Sequence, residues 1–221
     1  MNPGIYIGDC LELIPQLEDN SIDAVITDPP YGIAFQSSMR TKKLPKIEND
    51  ERPFIEWIRP VFDKLKDGGR LVCFYRWDVQ DAFLNEIKGA GFNVISQLVW
   101  YKKMHGMGDL KKAFGANHEL MIYATKGSYE FKNGRPNTVY NCTSVSTNSQ
   151  KHPNEKPVPL LQAIIRDITE KNELIIDPFG GSFSTYKAAN KEGRRCITYE
   201  LHPHYAELRH EADKNIDICI F

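Results

Sequence analysis

No stretch of this 221-residue chain approaches the roughly 18–20 consecutive apolar residues that cross a bilayer. Met1-Asn2-Pro3-Gly4 carries no charged-then-apolar pattern of the kind that opens a signal segment. Cys-x-x-Cys is also missing, so no zinc site and no other metal is expected. The five cysteines, Cys10, Cys73, Cys142, Cys196 and Cys219, are far apart. Cys10, Cys73 and Cys196 fall in or beside apolar segments and read as reduced core residues of a cytoplasmic protein. Neither Gly-x-Gly-x-x-Gly nor a phosphate-binding loop with its Lys-Ser/Thr occurs, which argues against a nicotinamide oxidoreductase. There is no internal repeat. A surplus of positive charge is lacking too, since the net charge is −1.

The charge that is present is uneven. Residues 36–46 carry Arg40, Lys42, Lys43 and Lys46 without an acid, and residues 101–112 carry Lys102, Lys103, Lys111 and Lys112 against Asp109 alone. Such runs are either solvated loops or a basic rim around a site that binds a polyanion. Apolar content of 41% and charge of 26% are ordinary for a globular chain, and the length suits one domain with a full core, with or without a small insert.

Short, continuously apolar runs alternate with helical periodicity. Residues 5–9, 22–27, 71–75, 92–101, 119–125, 174–176 and 195–200 read as strands. Leu11, Ile14 and Leu17 suggest a helix that Asp19-Asn20 stops. Residues 53–66 place Phe54, Trp57, Ile58, Val61, Phe62 and Leu65 on one helical face, with Pro60 expected to kink or split it and Asp67-Gly68-Gly69 to end it. Further helices are expected near 78–88, 157–170 and up to 192. Continuous apolar strands alternating with helices indicate an α/β protein whose parallel sheet is covered on both faces. Residues 32–50 read as a mobile loop, and 126–151, rich in Asn, Ser, Thr and Pro, as a loop or a small insert.

Three features carry chemistry. Asp28-Pro29-Pro30-Tyr31 closes the run 22–27, at the carboxyl end of a strand where open α/β sheets place their ligands. The run Asp177-Pro178-Phe179-Gly180-Gly181-Ser182 joins a strand to a helix, and its small residues allow a sharp turn and close approach to a ligand. It can equally be an ordinary turn. Glu200 ends the next strand about 20 residues on, where an acid can accept both hydroxyls of a ribose or simply be solvated.

Together these resemble the S-adenosylmethionine-dependent DNA amino-methyltransferases, which methylate the exocyclic amine of adenine or cytosine. Asp28 to Tyr31 is similar to the family's catalytic tetrad, Asp177 to Ser182 to its cofactor loop, and Glu200 to its ribose-binding acid. Asp9 is similar to the acid that receives the cofactor's adenine amine. His152-Pro153-Asn154-Glu155-Lys156-Pro157 resembles the segment flanking the methionine end of the cofactor, and Asn117-His118-Glu119 another family segment. The tetrad precedes the cofactor loop, as in the circularly permuted beta group. The resemblance implies a mostly parallel, seven-stranded Rossmann-like sheet with helices on both faces. It implies S-adenosylmethionine as cofactor, held by Asp9, Asp28, Lys156, Asp177, Phe179, Gly180, Gly181, Ser182 and Glu200. It implies catalysis by Asp28, Pro29, Pro30 and Tyr31, DNA as partner, and a homodimer. The sequence departs from the family at Phe183, where Gly-Ser-Gly-Thr-Thr is usual. A phenyl ring there either reshapes the cofactor pocket or faces the sheet as core.

An exocyclic amine is a poor nucleophile because its lone pair is delocalised into the ring. Acceptors for both amine hydrogens favour the localised lone pair, and the Asp28 carboxylate and Pro29 carbonyl can supply them. Tyr31 can stack on the base, which has to leave the duplex to be reached. An aspartate in the first position is more often associated with adenine N6 than with cytosine N4. Arg40, Lys42, Lys43, Lys102, Lys103, Lys111, Lys112 and Arg135 are the candidate DNA contacts, with Asn137, Asn141, Asn148 and Gln150 as further base readers. An RNA substrate, or a non-catalytic DNA-binding relative disabled at Phe183, are the competing readings.

Overall fold

A computed structural model describes residues 1–32, 52–104, 111–132, 134–146, 150, 152, 154–206, 208 and 212. Among the described residues eight strands form one sheet, in the order β1-β8-β7-β2-β3-β5-β4-β6. These are β1 (Gly4–Ile7), β2 (Ile22–Thr27), β3 (Leu65–Tyr75), β4 (Asn93–Tyr101), β5 (His118–Thr125), β6 (Val139–Asn141), β7 (Leu174–Asp177) and β8 (Arg195–Glu200). Every neighbouring pair is parallel except the two that β5 makes with β3 and β4. The expected seven strands are therefore eight. The eighth is β6, inside the 126–151 region read as irregular, where it pairs with the carboxyl half of β4. Three residues, the first and last of them exposed, leave too little apolar pattern to be recognised.

Burial follows strand position. β2 and β7 are buried at every residue, as strands covered on both faces must be. The helices are α1 (Cys10–Leu13), α2 (Ile58–Lys64), α3 (Gln80–Ala90), α4 (Val158–Ile168), α5 (Ser184–Lys191) and α6 (Pro203–Ala206). α4 packs on α5 and α2 on α3. Leu160, Leu161, Ile164, Ile165 and Ile168 form the buried stripe of α4, each contributing on the order of 1.5–3 kcal/mol by leaving water.

Three local expectations are corrected. The helix expected over 53–66 spans only Ile58–Lys64. Pro60 sits in its first turn, where an N–H has no intrahelical partner to lose, so no kink follows. Upstream, Pro53 bridges to Tyr31 and the Phe54 N–H donates to the Pro30 carbonyl at 3.1 Å. That stretch is committed to the tetrad rather than to the helix, although Phe54 and Trp57 are buried as the periodicity required. Asp67-Gly68-Gly69 does not end the helix. It lies inside β3, where the register with β2 slips between Ile22↔Leu65 and Ala24↔Arg70. Gly68 takes φ +74 there, which explains the glycine. The helix expected from Leu11 onward is short: α1 gives way to a 3-10 turn over Ile14–Gln16, around Pro15.

Because seven of the strands run one way, their carboxyl ends meet along a single edge, together with the start of β5. The opposite edge is structural. Buried Arg70 donates to the Ile168 carbonyl at 2.6 Å and pairs with Glu173. Arg194 donates to the Thr169 carbonyl at 2.5 Å. Both cations thus satisfy carbonyls at the end of α4 that the helix leaves open.

Candidate active site

The carboxyl edge opens into a cleft enclosing about 730 Å³ of empty space, its open mouth included. Its lining includes Asp9, Asp28, Pro29, Phe179, Gly181 and Glu200. Strand ends adjacent in the sheet but distant in the chain bring these residues together.

On one side the cleft is built from main chain. Gly180 N–H donates to the Tyr199 carbonyl at 2.6 Å and Phe183 N–H to the Gly180 carbonyl at 2.7 Å, which close the turn after β7. The Gly181 N–H then reaches Glu200 Oε2 at 2.7 Å, while the His202 N–H reaches Oε1 at 2.8 Å. Asp9 caps α1 by accepting the Leu11 N–H at 2.8 Å. A side chain on Gly180 would bring its Cβ to 2.7 Å from Thr198 Oγ1 and 2.9 Å from the Phe183 ring, so only glycine fits the turn.

Asp177 lies beneath this surface. Its Oδ1 accepts Thr27 Oγ1 at 2.8 Å and the Phe179 N–H at 3.1 Å. Burial pushes its carboxyl up to about 7 against these hydrogen bonds. Lys156 and Ser182 line a second, smaller cavity with Asp177, Gly180 and Gly181. Phe179 crosses the cleft, packing edge-on against Phe54 at 5.7 Å and Trp57 at 5.8 Å.

Phe183 is fully buried and lines neither cavity. Of the two readings of this residue, the structure supports core. It has φ 60 and ψ 31, a left-handed conformation rare for a bulky residue. This backbone explains why a glycine is usual at the position. The phenyl ring is retained at the expense of strain, offset by its burial.

On the other side the cleft is built from side chains. Tyr31 Oη donates to Asp28 Oδ1, and Lys156 Nζ donates to Asp28 Oδ2. Lys156 also faces Glu119 Oε2 at 3.3 Å, an ion pair outside regular hydrogen-bond alignment. Glu119 Oε1 meets Lys102 Nζ at 2.5 Å, and Lys102 lies over the Trp100 ring. Burial raises the Asp28 carboxyl above its ordinary range, with Lys156 opposing and Glu119 reinforcing the rise. Burial opposes the charge on Lys156, but Asp28 and Glu119 together raise it above the usual lysine range. Burial likewise works against ionised Glu119, yet Lys156 and Lys102 hold it below the usual carboxylate range. The Pro30 carbonyl is taken by Phe54, whereas among the described residues no backbone donor meets the Pro29 carbonyl.

The buried thiols of Cys10, Cys73 and Cys196 are kept protonated. Burial pushes Cys73 and Cys196 well up, and burial with neighbouring Asp9 takes Cys10 to about 12.

Of the basic residues, Lys111, Lys112 and Arg135 are exposed. Lys103 follows Lys102 at the carboxyl end of β4, and Asn141 ends β6 at the same edge. Asn137 lines a groove between β6 and α4, beside the Tyr140–Asp167 hydrogen bond of 2.8 Å. Arg40, Lys42, Lys43 and Asn148 lie outside the described residues, as does nearly all of the 32–50 loop.

Glu119 and His152 were named in the sequence only as members of family segments, and the cleft-lining His202 and Tyr205 were missed. Tyr205 stacks edge-on with His152 at 4.6 Å. Trp77, Met104 and Phe114 were missed as well, exposed by 75%, 76% and fully, in segments that leave the carboxyl ends of β3 and β4. Nothing in a sequence separates a solvated aromatic residue from a buried one.

Comparison with known proteins agrees with this geometry. Residues 22–211 match the family described as DNA methylase. The chain is 34% identical over 203 residues to a putative methylase, YubD, of Escherichia coli strain K12, covering 90% of this chain and 84% of that one. Among solved structures, the cytosine-N4-specific PvuII DNA methyltransferase superposes with a TM-score of 0.76 at 23% identity, covering 100% of this chain and 89% of that one. The M1.HpyAVI complex with SAM superposes with a TM-score of 0.72 at 22% identity, covering 94% and 98%.

Proposed function

The chain belongs to the S-adenosylmethionine-dependent DNA amino-methyltransferases, and from that premise we propose that it methylates the exocyclic N6 amine of adenine in a base flipped out of DNA. The observation that carries this reading is Asp28. Its carboxylate stands at the carboxyl end of β2, beside the Pro29 carbonyl, on the wall of a cleft whose opposite wall is Glu200 and the glycine turn.

The cofactor half fits its ligand by chemistry. Glu200 is an acceptor held by two backbone N–H groups, suited to a pair of vicinal hydroxyls. Asp9 is a second acid, suited to an amine. Gly181 keeps the floor free of side chain, and Phe179 adds an apolar wall. When bound, S-adenosylmethionine supplies an electrophilic methyl group on a sulfonium sulfur.

The chain's own work is to prepare the nucleophile. Asp28 Oδ1 accepts one amine hydrogen and the Pro29 carbonyl the other, which favours the localised lone pair. The two prolines restrict the backbone, so this carbonyl is presented with little reorganisation. The Tyr31 hydroxyl donates to Oδ1. An arriving amine competes with it for this oxygen, and the ring can stack on the base. Asp28 then accepts the proton that the methylated nitrogen gives up, a role suited to a carboxyl raised by burial. The exposed Lys103, Lys111, Lys112 and Arg135 are the cations offered for phosphate contacts.

The test is transfer of a labelled methyl group to mixed-sequence duplex DNA, followed by nucleoside mass spectrometry. N6-methyladenine is the expected product. N4-methylcytosine would keep the acceptor chemistry and replace the base. Label in RNA but not in DNA would overturn the reading.

A further inference from the structure

The Asp28 carboxylate is held by a cation that comes from a segment 128 residues away, and that cation is shared with a third group. Lys156 precedes α4, Asp28 follows β2 and Glu119 opens β5, so three elements converge on one ammonium. The Lys156 side chain is only 8% exposed. The ammonium donates to Asp28 Oδ2 and to the Asn154 carbonyl at 3.4 Å, pairs with Glu119 Oε2 at 3.3 Å, and lies 5.0 Å above the Phe74 ring. A lysine used only to attract DNA would lie at the surface, as Lys111 and Lys112 do.

On the premise of the function given above, we propose that Lys156 and Glu119 are positioning residues for Asp28. The ammonium fixes Oδ2, leaving Oδ1 as the oxygen offered to the target amine. Glu119 divides the ammonium's attraction between two carboxylates and so sets how firmly Asp28 keeps its charge. Lys102, paired with Glu119 from the end of β4, connects this balance to the basic segment after β4.

The sign of the effect separates this from a purely structural ion pair. Removing Lys156 leaves Asp28 buried beside an anion, so protonated Asp28 persists to higher pH. Removing the Glu119 charge does the opposite. A pair that only stabilises the fold would lower activity in both variants without moving the titration in opposite directions. The other ionisable groups facing Asp28 are Tyr31 on its own segment, Cys73 from β3 and Asp177 from β7, with His152 on the cleft wall. Tyr31 and Cys73 stay neutral through the working range. Asp177 and His152 are common to all variants, so differences between variants report the pair.

The experiment is the pH profile of kcat/KM for methyl transfer in wild type, Lys156→Met, Lys156→Arg and Glu119→Gln. The acid limb is expected to rise by about one pH unit or more in Lys156→Met, which loses a charge in contact with Asp28, and to fall by about one pH unit or less in Glu119→Gln, whose charge acts from beyond the ammonium. Lys156→Arg should keep the wild-type limb at reduced kcat. Cofactor affinity should stay within about threefold throughout. Limbs that coincide, or that move the same way, would overturn the proposal, and Glu119→Gln decides the matter even if Lys156→Met does not fold. The Asp28 carboxyl carbon, assigned by its loss in Asp28→Asn, is titrated by NMR in the same proteins without cofactor. A wild type that methylates no nucleic acid would sink the functional premise. The NMR titration still decides the positioning claim, supporting it if the two variants shift Asp28 oppositely and refuting it if they do not.

Discussion

The two halves of the cleft hold their carboxylates by different means. Around β7, β8 and β1, Glu200 and Asp9 are held by backbone N–H groups, two on Glu200 and one on Asp9. Around β2 and β5, Asp28 and Glu119 are held by the side chains of Tyr31, Lys156 and Lys102. Main-chain donors fix a carboxylate in place and never titrate. Side-chain partners can be displaced, and the charged ones among them tune the group they hold. A cofactor that binds the same way each turnover suits the first construction. A base that enters, reacts and leaves suits the second.

The largest effect that would break or sharpen this contrast is expected at Asp28. Asp28→Asn keeps one acceptor oxygen but removes the charge that takes up the proton, and should lower the single-turnover transfer rate at least 10³-fold, in the range of losing a preorganised electrostatic group plus general-base help. Quench-flow with labelled cofactor measures it. A rate within tenfold of wild type would mean that the side-chain half does not do the chemistry.

Phe183→Gly tests the floor of the main-chain half. Loss of a buried phenyl ring costs about 3–5 kcal/mol, and relief of the left-handed backbone returns about 1–2 kcal/mol. A net loss of about 1–4 kcal/mol in urea unfolding is expected, with the cofactor cleft intact because Phe183 does not line it. A gain in stability would show that the strain outweighs the packing.

Glu200→Gln should weaken S-adenosylmethionine binding by about 10- to 100-fold in calorimetry, as charge-assisted hydrogen bonds of about 1.5–3 kcal/mol imply. Unchanged affinity would remove Glu200 from the cofactor half. Tyr31→Phe should have the smallest effect. It keeps the ring for stacking and frees Asp28 Oδ1, so kcat should change less than about fivefold while the KM for DNA stays near wild type. A large fall in kcat would mean that the hydroxyl is more than a placeholder.

The same contrast explains what the sequence made legible. The main-chain half is written in contiguous residues. Asp177 to Ser182 and Glu200 signal a strand, a turn and a strand-end acid because glycine and proline punctuate the backbone, and the structure puts Gly181 on Glu200. Seven of the strands were readable from continuous apolar runs. β6 was not, because three half-exposed residues have no period to detect. Pro53 to Trp57 looked helical because their buried face has helical spacing, but pairing with the tetrad overrides it. The side-chain half was least legible. Lys156 was expected at the cofactor through the segment it belongs to, and that its ammonium reaches Asp28 could not be read there. Glu119 carried no role at all. Contacts between residues 91 and 128 positions from Asp28 leave no local pattern, and only the fold shows them.

The measurement that tests the account most directly sets Asp28→Asn beside Glu200→Gln, reading cofactor affinity and single-turnover transfer in both. The account predicts a crossed result. Asp28→Asn binds S-adenosylmethionine within about threefold of wild type and does not transfer, while Glu200→Gln binds weakly and recovers most of its rate at saturating cofactor. If Asp28→Asn transfers, or if the two variants lose binding and transfer together, the division of the cleft into a cofactor half and an acceptor half is wrong.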